Sequence, residues 1–428
     1  MVTTIPHRAA EARRVALASA IGTTIEWYDF FIYGTAAAVV FAPQFFPQVS
    51  SLAGMLASFA TFAIGFLARP LGGIVMGHFG DRIGRKSTLV WCLLLMGLAT
   101  FGIGVLPNYS RLGVWAPLLL VFFRFVQGFA LGGEWGGAVL MSVEHAPEDK
   151  RGLFGSFVAL GLPAGIILSN VVFLIASTTV TPERFAAWAW RVPFLASGVL
   201  VAIGLFVRVK VAESPVFAEV LRAQSARRTP VVDVLRSHAR AIFLAAGSYL
   251  SISATGYLVI VYFVSYATRN LQFSLPVTLA LLQAAAIVFA ASILFFAKQS
   301  DLLGRHRMIR WSCGALVFAS LVFFPLIDTK SVAFAAVALC GILLVQGIYI
   351  GPQAAAFAEL FPAAVRYSGA SLSITLGTIF GGAIAPFVAT ALYSTTGNSW
   401  PVTAYAVAVS IISWLCALAL KEGRIYHQ

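Results

Sequence analysis

A chain of 428 residues in which 60% are apolar, 35 are phenylalanine and only 11% are charged lies outside the composition of soluble globular proteins and reads as a membrane protein. Its formal charge of +13 raises nucleic-acid binding as a rival reading, which the placement of the basic residues excludes. Spans near the ~20 residues that cross a bilayer as a helix are predicted at 15–41, 51–77, 87–106, 116–141, 152–177, 188–208, 241–267, 275–297, 308–327, 332–358, 367–393 and 400–420. Twelve spans put both termini and the even-numbered connections on one side. Counting the span-end residues Arg208, Arg310 and Arg191 with the sides they adjoin, that side holds 22 of the 29 Lys and Arg, the other side 5, and 2, Arg69 and Arg124, lie inside spans. The bias is the positive-inside signature, so the termini and the 209–240 loop are assigned to the cytoplasm, and the basicity reports topology rather than a nucleic-acid partner.

The first span follows Arg8, Arg13 and Arg14 and imitates a secretory signal. Its apolar segment continues past Glu26 and Asp29 to about residue 41, longer than a signal core, so it is read as a retained span. Glu26 and Asp29 share one helical face at i and i+3. The second span carries Arg69, and the fourth carries Arg124 and Glu134. An ionisable group at mid-membrane costs roughly 2.5 to 3.5 kcal/mol on insertion scales, so each of these five is a functional candidate. The second half offers neutral polar groups instead, among them Tyr257, Gln283, Gln346, Tyr349 and Gln353. The contrast predicts proton chemistry in the first half and steric or hydrogen-bond selection from the second.

At about 1.5 Å per residue from span midpoints, Glu26 and Asp29 fall within about 3 Å of the midplane, Arg124 about 6 Å outward, and Arg69 and Glu134 about 8 and 9 Å toward the cytoplasm. Depth therefore allows Arg124 to pair with Asp29 or Glu26, and Arg69 with Glu134. An acid that gains and loses a guanidinium partner during a cycle takes up and releases a proton. Asp29 and Glu26 are the leading carriers, with Arg124 as the switchable partner; a permanent ion pair that fixes helix packing is the structural alternative. Arg69 and Arg191 are the cations available to an anionic substrate, although Arg191 stands equally as an interface anchor beside Trp188 and Trp190. Tyr33 and Trp135 are candidate cavity linings, against the ordinary packing role of aromatic residues.

Two connections repeat. "GHFGDRIGRKS" at 77–87 supplies Gly77, Asp81, Arg82, Gly84 and Arg85; "AKQSDLLGRHR" at 297–307 supplies Asp301, Gly304 and Arg305 in the same Asp-x-x-Gly-Arg spacing, 220 residues later. "EHAPEDKR" at 144–151 and "ELFPAAVR" at 359–366 share Glu144 and Glu359, a proline, and Arg151 and Arg366, at an offset of 215. Two motifs recurring in order mark an internal duplication: a six-span unit over 1–208, a linker over 209–240 and a second unit over 241–428. Two such repeats are what alternating access requires, with a site near the midplane between them. The 77–87 loop is no phosphate cradle, because Gly80 and Gly84 are too close together, Arg85 stands where lysine belongs, and helices flank it. A gate latch fits better: Asp81 can face a helix N-terminus or a basic residue, while Arg82 and Arg85 find acids or headgroups. Topology alone would explain the basic residues but not Asp81.

No metal or enzymatic site is expected. Cys92, Cys313, Cys340 and Cys416 each fall in a span without metal-site spacing. The six histidines lie at or outside span ends, with no H-E-x-x-H pattern. No ATPase motif is present, so the energy source is a gradient and no cofactor is expected. A receptor or structural protein would leave the duplicated loops and five buried ionisable groups unexplained.

The 77–87 loop resembles the loop 2–3 signature of the major facilitator superfamily, and "RFVQG" at 124–128 resembles its fourth-helix signature. More narrowly, "GTTIEWYDFFIYG" (22–34), "GFLARPLGG" (65–73), "GGEWGG" (132–137), "WAWRVPF" (188–194) and "ELFPAAVRYSGAS" (359–371) resemble the metabolite:proton symporters of that superfamily. The resemblance implies an all-α major facilitator fold of 12 transmembrane helices in two pseudo-symmetric bundles, monomeric, with cytoplasmic termini, in a bacterial inner membrane. It further implies that the 77–87 loop holds the bundles together on the cytoplasmic side in the outward-open state. Members carry alpha-ketoglutarate, citrate, shikimate, or proline and betaine; the "GGEWGG" wording is closer to the shikimate type, and the ending "KEGRIYHQ" lacks the long coiled coil of some osmolyte carriers. The family carries arginine at the positions matching Arg69 and Arg191, which implies a carboxylate on the substrate. The expected function is a proton symporter importing a small carboxylate. A proton antiporter or exporter, and an osmolyte symporter taking a zwitterion, are the alternatives.

Overall fold

A computed structural model describes residues 5–83, 85–132, 156–210, 231–362 and 366–420. With no water inside a bilayer, backbone groups must bond within their own segment, and the long apolar runs accordingly form helices. The main ones are α1 (Ile5–Val39), α2 (Ser51–Ile83), α3 (Arg85–Val105), α4 (Trp115–Gly132), α5 (Gly161–Thr178) and α6 (Val192–Lys210). In the second half they are α7 (Val231–Tyr257), α8 (Leu275–Leu303), α9 (Arg305–Ile327), α10 (Val332–Glu359), α11 (Arg366–Thr378) and α12 (Trp400–Ala419). α7 continues through a π-helical turn, Leu258–Tyr262, into Phe263–Arg269, and α11 through a π-helical turn, Ile379–Ala383, into Ala385–Thr396. Among the described residues eleven helices are long and apolar enough to cross a membrane, and α1 packs beside them.

Local chemistry sets several ends. Ser274 caps α8 by accepting the Val277 N–H, with Pro276 in the first turn, a place where its missing donor is not needed. Gly304 turns the chain from α8 into α9 at φ +90°, a region closed to most side chains. Two boundaries differ from expectation. α7 begins at Val231, ten residues before the expected span, and absorbs a kink at His238. The sixth span begins as a 3-10 turn, Ala189–Arg191, ahead of α6, which leaves Arg191 at the foot of the helix.

The same pairings build both halves. α1 packs on α5, α2 on α4, and α3 on α4 and α6; α7 packs on α11, α8 on α10, and α9 on α10 and α12. Close approach relies on small residues, as is usual where lipid gives no hydrophobic drive for helix association. The backbone of Gly128 lies against the Gly65 carbonyl between α2 and α4, and Gly347 lies against Ser292 between α10 and α8, in both cases leaving no room for a β-carbon. The halves meet where α5 packs on α8, α2 on α11 and its π-helical turn, and α1 on the π-helical turn and Phe263–Arg269 that continue α7. Trp91, Leu98, Phe122, Phe318 and Phe380 are exposed, an apolar belt suited to lipid. The seventh span differs over 251–267, from the last residues of α7 through the π-helical turn into Phe263–Arg269, where every residue is buried, although Phe243 earlier in α7 is exposed.

Candidate functional site

The charges predicted from the sequence converge where α1, α2, α3 and α4 pack, facing α7. Glu26, Asp29 and Tyr33 stand on α1 and are buried, as is Arg124 on α4. Room for the guanidinium comes from Gly65 on α2, where a β-carbon would come within 2.6 Å of Arg124 Nε. Arg124 Nη1 donates to Gln127 Oε1 at 3.2 Å, and Nε and Nη2 reach the Phe62 carbonyl at 3.4 Å. Its cation lies 4.2 Å from the ring centres of Phe30 and Tyr33 and 4.8 Å from that of Phe62, so π faces supply much of the stabilisation that water would give. The Tyr33 hydroxyl donates to Thr61 Oγ1 at 2.7 Å.

Asp29 and Arg124 make no direct ion pair. Gln127 Nε2 donates to Thr100 Oγ1 at 2.7 Å, and Thr100 Oγ1 lies 3.0 Å from Asp29 Oδ2 and 2.9 Å from the Met96 carbonyl. Two neutral side chains thus bridge the charges. Asp29 Oδ1 is buried without a hydrogen-bond partner.

Arg69, on α2, packs its guanidinium on Phe66 at 4.7 Å and Phe30 at 5.0 Å. Its Nε and Nη2 are buried without hydrogen-bond partners. Glu26, Tyr249 and Tyr257 are within electrostatic reach of it, so the group around Arg69 includes Glu26 from α1, which depth alone had matched to Arg124. The Tyr257 ring crosses from the second half into the first, lying 5.2–5.8 Å from Phe66, Phe62 and Phe30, and its buried hydroxyl lies beside the Arg69 guanidinium without a well-formed hydrogen bond.

Across the interface the polar groups are neutral. Gln346 Nε2 donates to Thr255 Oγ1 at 2.9 Å. The Tyr349 hydroxyl is 2.8 Å from Ser248 Oγ, and its ring lies 6.0 Å from Tyr249. Gln283 Oε1 on α8, Gln353 Nε2 on α10 and Asn170 Nδ2 on α5 have no partners.

Arg191 is half-buried and donates to the carbonyls of Ala187 and Leu106, both at 3.1 Å, with Trp190 beneath it at 4.3 Å. Those bonds tie the foot of α6 to the end of α3. In the second half, Arg305 bridges the two repeated motifs: it bonds Asp301 Oδ1 at 2.9 Å and pairs with Glu359 as well. Gly77, Asp81, Arg82, Arg85 and Arg366 are described in backbone only, while Gly84, Glu134, Trp135, Glu144 and Arg151 lie outside the described residues.

Sequence reasoning passed over Thr100, Gln127, Thr255 and Asn170. Neutral polar residues in helices usually bond their own backbone, so none stood out. A signal for one of them, Gln127, exists: Val-Gln-Gly-x-x-x-Gly occurs at 126–132 and again at 345–351, around Gln346. Both glutamines donate to a threonine hydroxyl on another helix.

Comparison with known proteins agrees with this architecture. The family model described as Major Facilitator Superfamily matches residues 19–379. The inner membrane metabolite transport protein YhjE of Escherichia coli K12 is 42% identical over 97% of this chain and 95% of its own. The shikimate transporter of the same organism is 39% identical over 97% and 96%. A putative proline/betaine transporter of Staphylococcus haemolyticus is more distant, 31% identical over 96% and 87%. Among solved structures, a crystal structure of D-xylose-proton symporter superposes with a TM-score of 0.75 over 96% of this chain and 98% of that one at 16% identity, a likeness of fold alone. The chain therefore belongs to the major facilitator superfamily, on its metabolite-transporter branch, and is a multi-pass inner-membrane transporter rather than an enzyme.

Proposed function

We propose that the protein is a proton-coupled symporter that imports a small organic acid by alternating access. The observation that carries this reading is Arg69, a guanidinium between the halves with Nε and Nη2 buried and unpaired. Leaving such donors unsatisfied is costly, and a carboxylate is the ligand whose two oxygens match them. Tyr257, Gln346, Tyr349 and Gln283 then select the body of the substrate from the second half, with Tyr33 lining the first. Arg191 has its donors committed to backbone carbonyls and serves as an anchor. Similarity to a shikimate transporter supports a hydroxylated carboxylate.

Asp29 carries the proton, because a buried carboxylate with one oxygen unpaired gains most from neutralisation. Glu26 acts with Arg69, and Arg124 responds to Asp29. The six-helix units are 1–208 and 241–428, joined by a cytoplasmic linker at 209–240, with both termini cytoplasmic. The clusters Asp81–Arg85 with Glu144 and Arg151, and Asp301–Arg305 with Glu359 and Arg366, latch the cytoplasmic gate. The protein acts as a monomer, driven by the proton gradient without a cofactor.

The test uses the purified protein in liposomes with a trapped pH dye and an imposed potential, offering shikimate, alpha-ketoglutarate, citrate, lactate, proline and betaine in turn. Acidification of the lumen with an acid is expected. A response to proline or betaine only would move the protein to osmolyte symport, and alkalinisation on adding a cationic compound would make it an antiporter.

A further inference from the structure

Arg124, Gln127, Thr100 and Asp29 form one hydrogen-bonded line through the first half, and the chemistry of its ends fixes its direction. A guanidinium only donates and a carboxylate accepts. Since Arg124 Nη1 occupies Gln127 Oε1, the Gln127 amide must present Nε2 to Thr100 Oγ1, at 2.7 Å. Thr100 has a single hydroxyl hydrogen and two acceptors in reach, Asp29 Oδ2 at 3.0 Å and the Met96 carbonyl at 2.9 Å. One acceptor can change charge. The other cannot.

We propose that Thr100 and Gln127 are positioning residues that carry the charge state of Asp29 to Arg124; this rests on the reading of Asp29 as the proton carrier. With Asp29 anionic, the Thr100 hydroxyl turns to Oδ2. Donation to an anion polarises Oγ1 into a stronger acceptor, which tightens its hold on Gln127 and through it on Arg124. The incoming proton binds Oδ1, the oxygen without a partner. Oδ2 becomes a neutral carbonyl, the Thr100 hydrogen turns to Met96, and the hold on Gln127 weakens. Arg124 is then left with two 3.4 Å bonds to the Phe62 carbonyl and its aromatic faces, and can reorient. One proton is added to Asp29; none moves along the line.

The second half holds a comparable amide–hydroxyl pair without ionic ends, made to a different helix. Gln346 donates to Thr255, and Thr255 donates at 2.6 Å to the Ser251 carbonyl, whose charge is fixed. The residue in the repeat position of Arg124 is Leu343. The glutamine is thus repeated but its threonine is not, since Thr255 stands on α7, the counterpart of α1, whereas Thr100 stands on α3; only the first-half pair lies between a carboxylate and a guanidinium.

The other ionisable groups facing this part of α1 are few. Arg69 comes from α2, Cys92 from α3 and Tyr257 from α7, while Glu26 and Tyr28 share α1, the Tyr28 hydroxyl being committed to the Pro193 carbonyl at 2.7 Å. Arg191, ahead of α6, is bonded to backbone, and α5 has no ionisable residue. None of these is changed in the variants below.

Infrared difference spectroscopy on the full chain in lipid, wild type against Asp29→Asn, isolates the Asp29 carboxyl band and its pH midpoint without needing a substrate. Thr100→Val and Gln127→Leu should each displace that midpoint by about one pH unit, Thr100→Ser should restore it, and the double variant should shift it no further than the larger single effect. Gln127 does not touch Asp29, so its effect separates a relay from a merely structural threonine. A midpoint unmoved by Gln127→Leu overturns the proposal while leaving Asp29 as carrier. If instead Asp29→Asn removes no band titrating between about pH 4 and 10, the carrier reading falls and the relay with it. Should Thr100→Val not fold, Gln127→Leu and Thr100→Ser carry the test.

Discussion

The two halves share a packing scheme and differ in what they bury. α2 meets α4 as α8 meets α10, with Gly128 and Gly347 at matching close contacts, yet the first half buries Glu26, Asp29 and Arg124 where the second buries Gln346, Thr255, Ser251 and Ser413. In the second half most of those groups are satisfied: Thr255 bonds the Ser251 carbonyl and Ser413 bonds both the Gly247 carbonyl and the Ser251 N–H, while the Ser251 hydroxyl has no partner. The difference teaches that duplication preserves what packing demands, whereas buried carboxylates and guanidiniums, which are expensive everywhere in a membrane, stand in one copy only among the described residues. Structural need alone would have placed them in both.

The comparison can be broken most severely by making the first half resemble the second. Arg124→Leu should lower proton-driven accumulation by about 100-fold or more, since it removes a buried charge whose partners remain, while Arg124→Lys should recover part of it. Equal activity of Arg124→Leu and wild type in the liposome assay would end the charge argument. Asp29→Asn should abolish uphill accumulation while substrate exchange at equal pH continues; retained accumulation would remove Asp29 from the proton path. A packing change should instead treat the halves alike. Gly128→Val and Gly347→Val should each cost about 3 kcal/mol or more by overpacking, seen as loss of a monodisperse peak in size-exclusion chromatography. A large effect in one half only would contradict the matched contacts.

Smaller effects sharpen the contrast. Gln346→Leu leaves Thr255 its bond to Ser251, so it should cost about 1 kcal/mol and change substrate affinity without changing the proton-to-substrate ratio. Arg305→Gln removes partly exposed ion pairs to Asp301 and Glu359, worth about 1 kcal/mol or less. Thermal unfolding followed by tryptophan fluorescence should barely move. An engineered cysteine beside Glu359 should label faster if these pairs hold a gate.

The fold was legible because lipid leaves one solution for an apolar segment of ~20 residues, and the duplicated Asp-x-x-Gly-Arg loops announced two halves. Asp29, Glu26, Arg69 and Arg124 were legible for the same reason, as charges inside apolar runs. Azimuth was not. Depth allowed Arg69 to pair with Glu134, which lies outside the described residues, and gave no sign that Glu26 comes within electrostatic reach of Arg69, because rotation about a helix axis decides neighbours. Thr100 was illegible because a lone threonine in an apolar helix ordinarily bonds its own i−4 carbonyl, and Thr100 has that bond to Met96 as well as its bond to Asp29. The π-helical turns in α7 and α11 left no mark that periodicity could read.

The stretch 251–267, buried at every position, has a consequence for how its sequence can vary. A lipid-facing helix has a permissive stripe that recurs every 3.6 residues, where one apolar side chain replaces another freely. The stretch 251–267 lacks that stripe. In a saturation scan of transport activity the other spans should show tolerance rising and falling with helical period, whereas intolerance should run through consecutive positions of 251–267, making it the slowest-drifting part of the spans over evolutionary time.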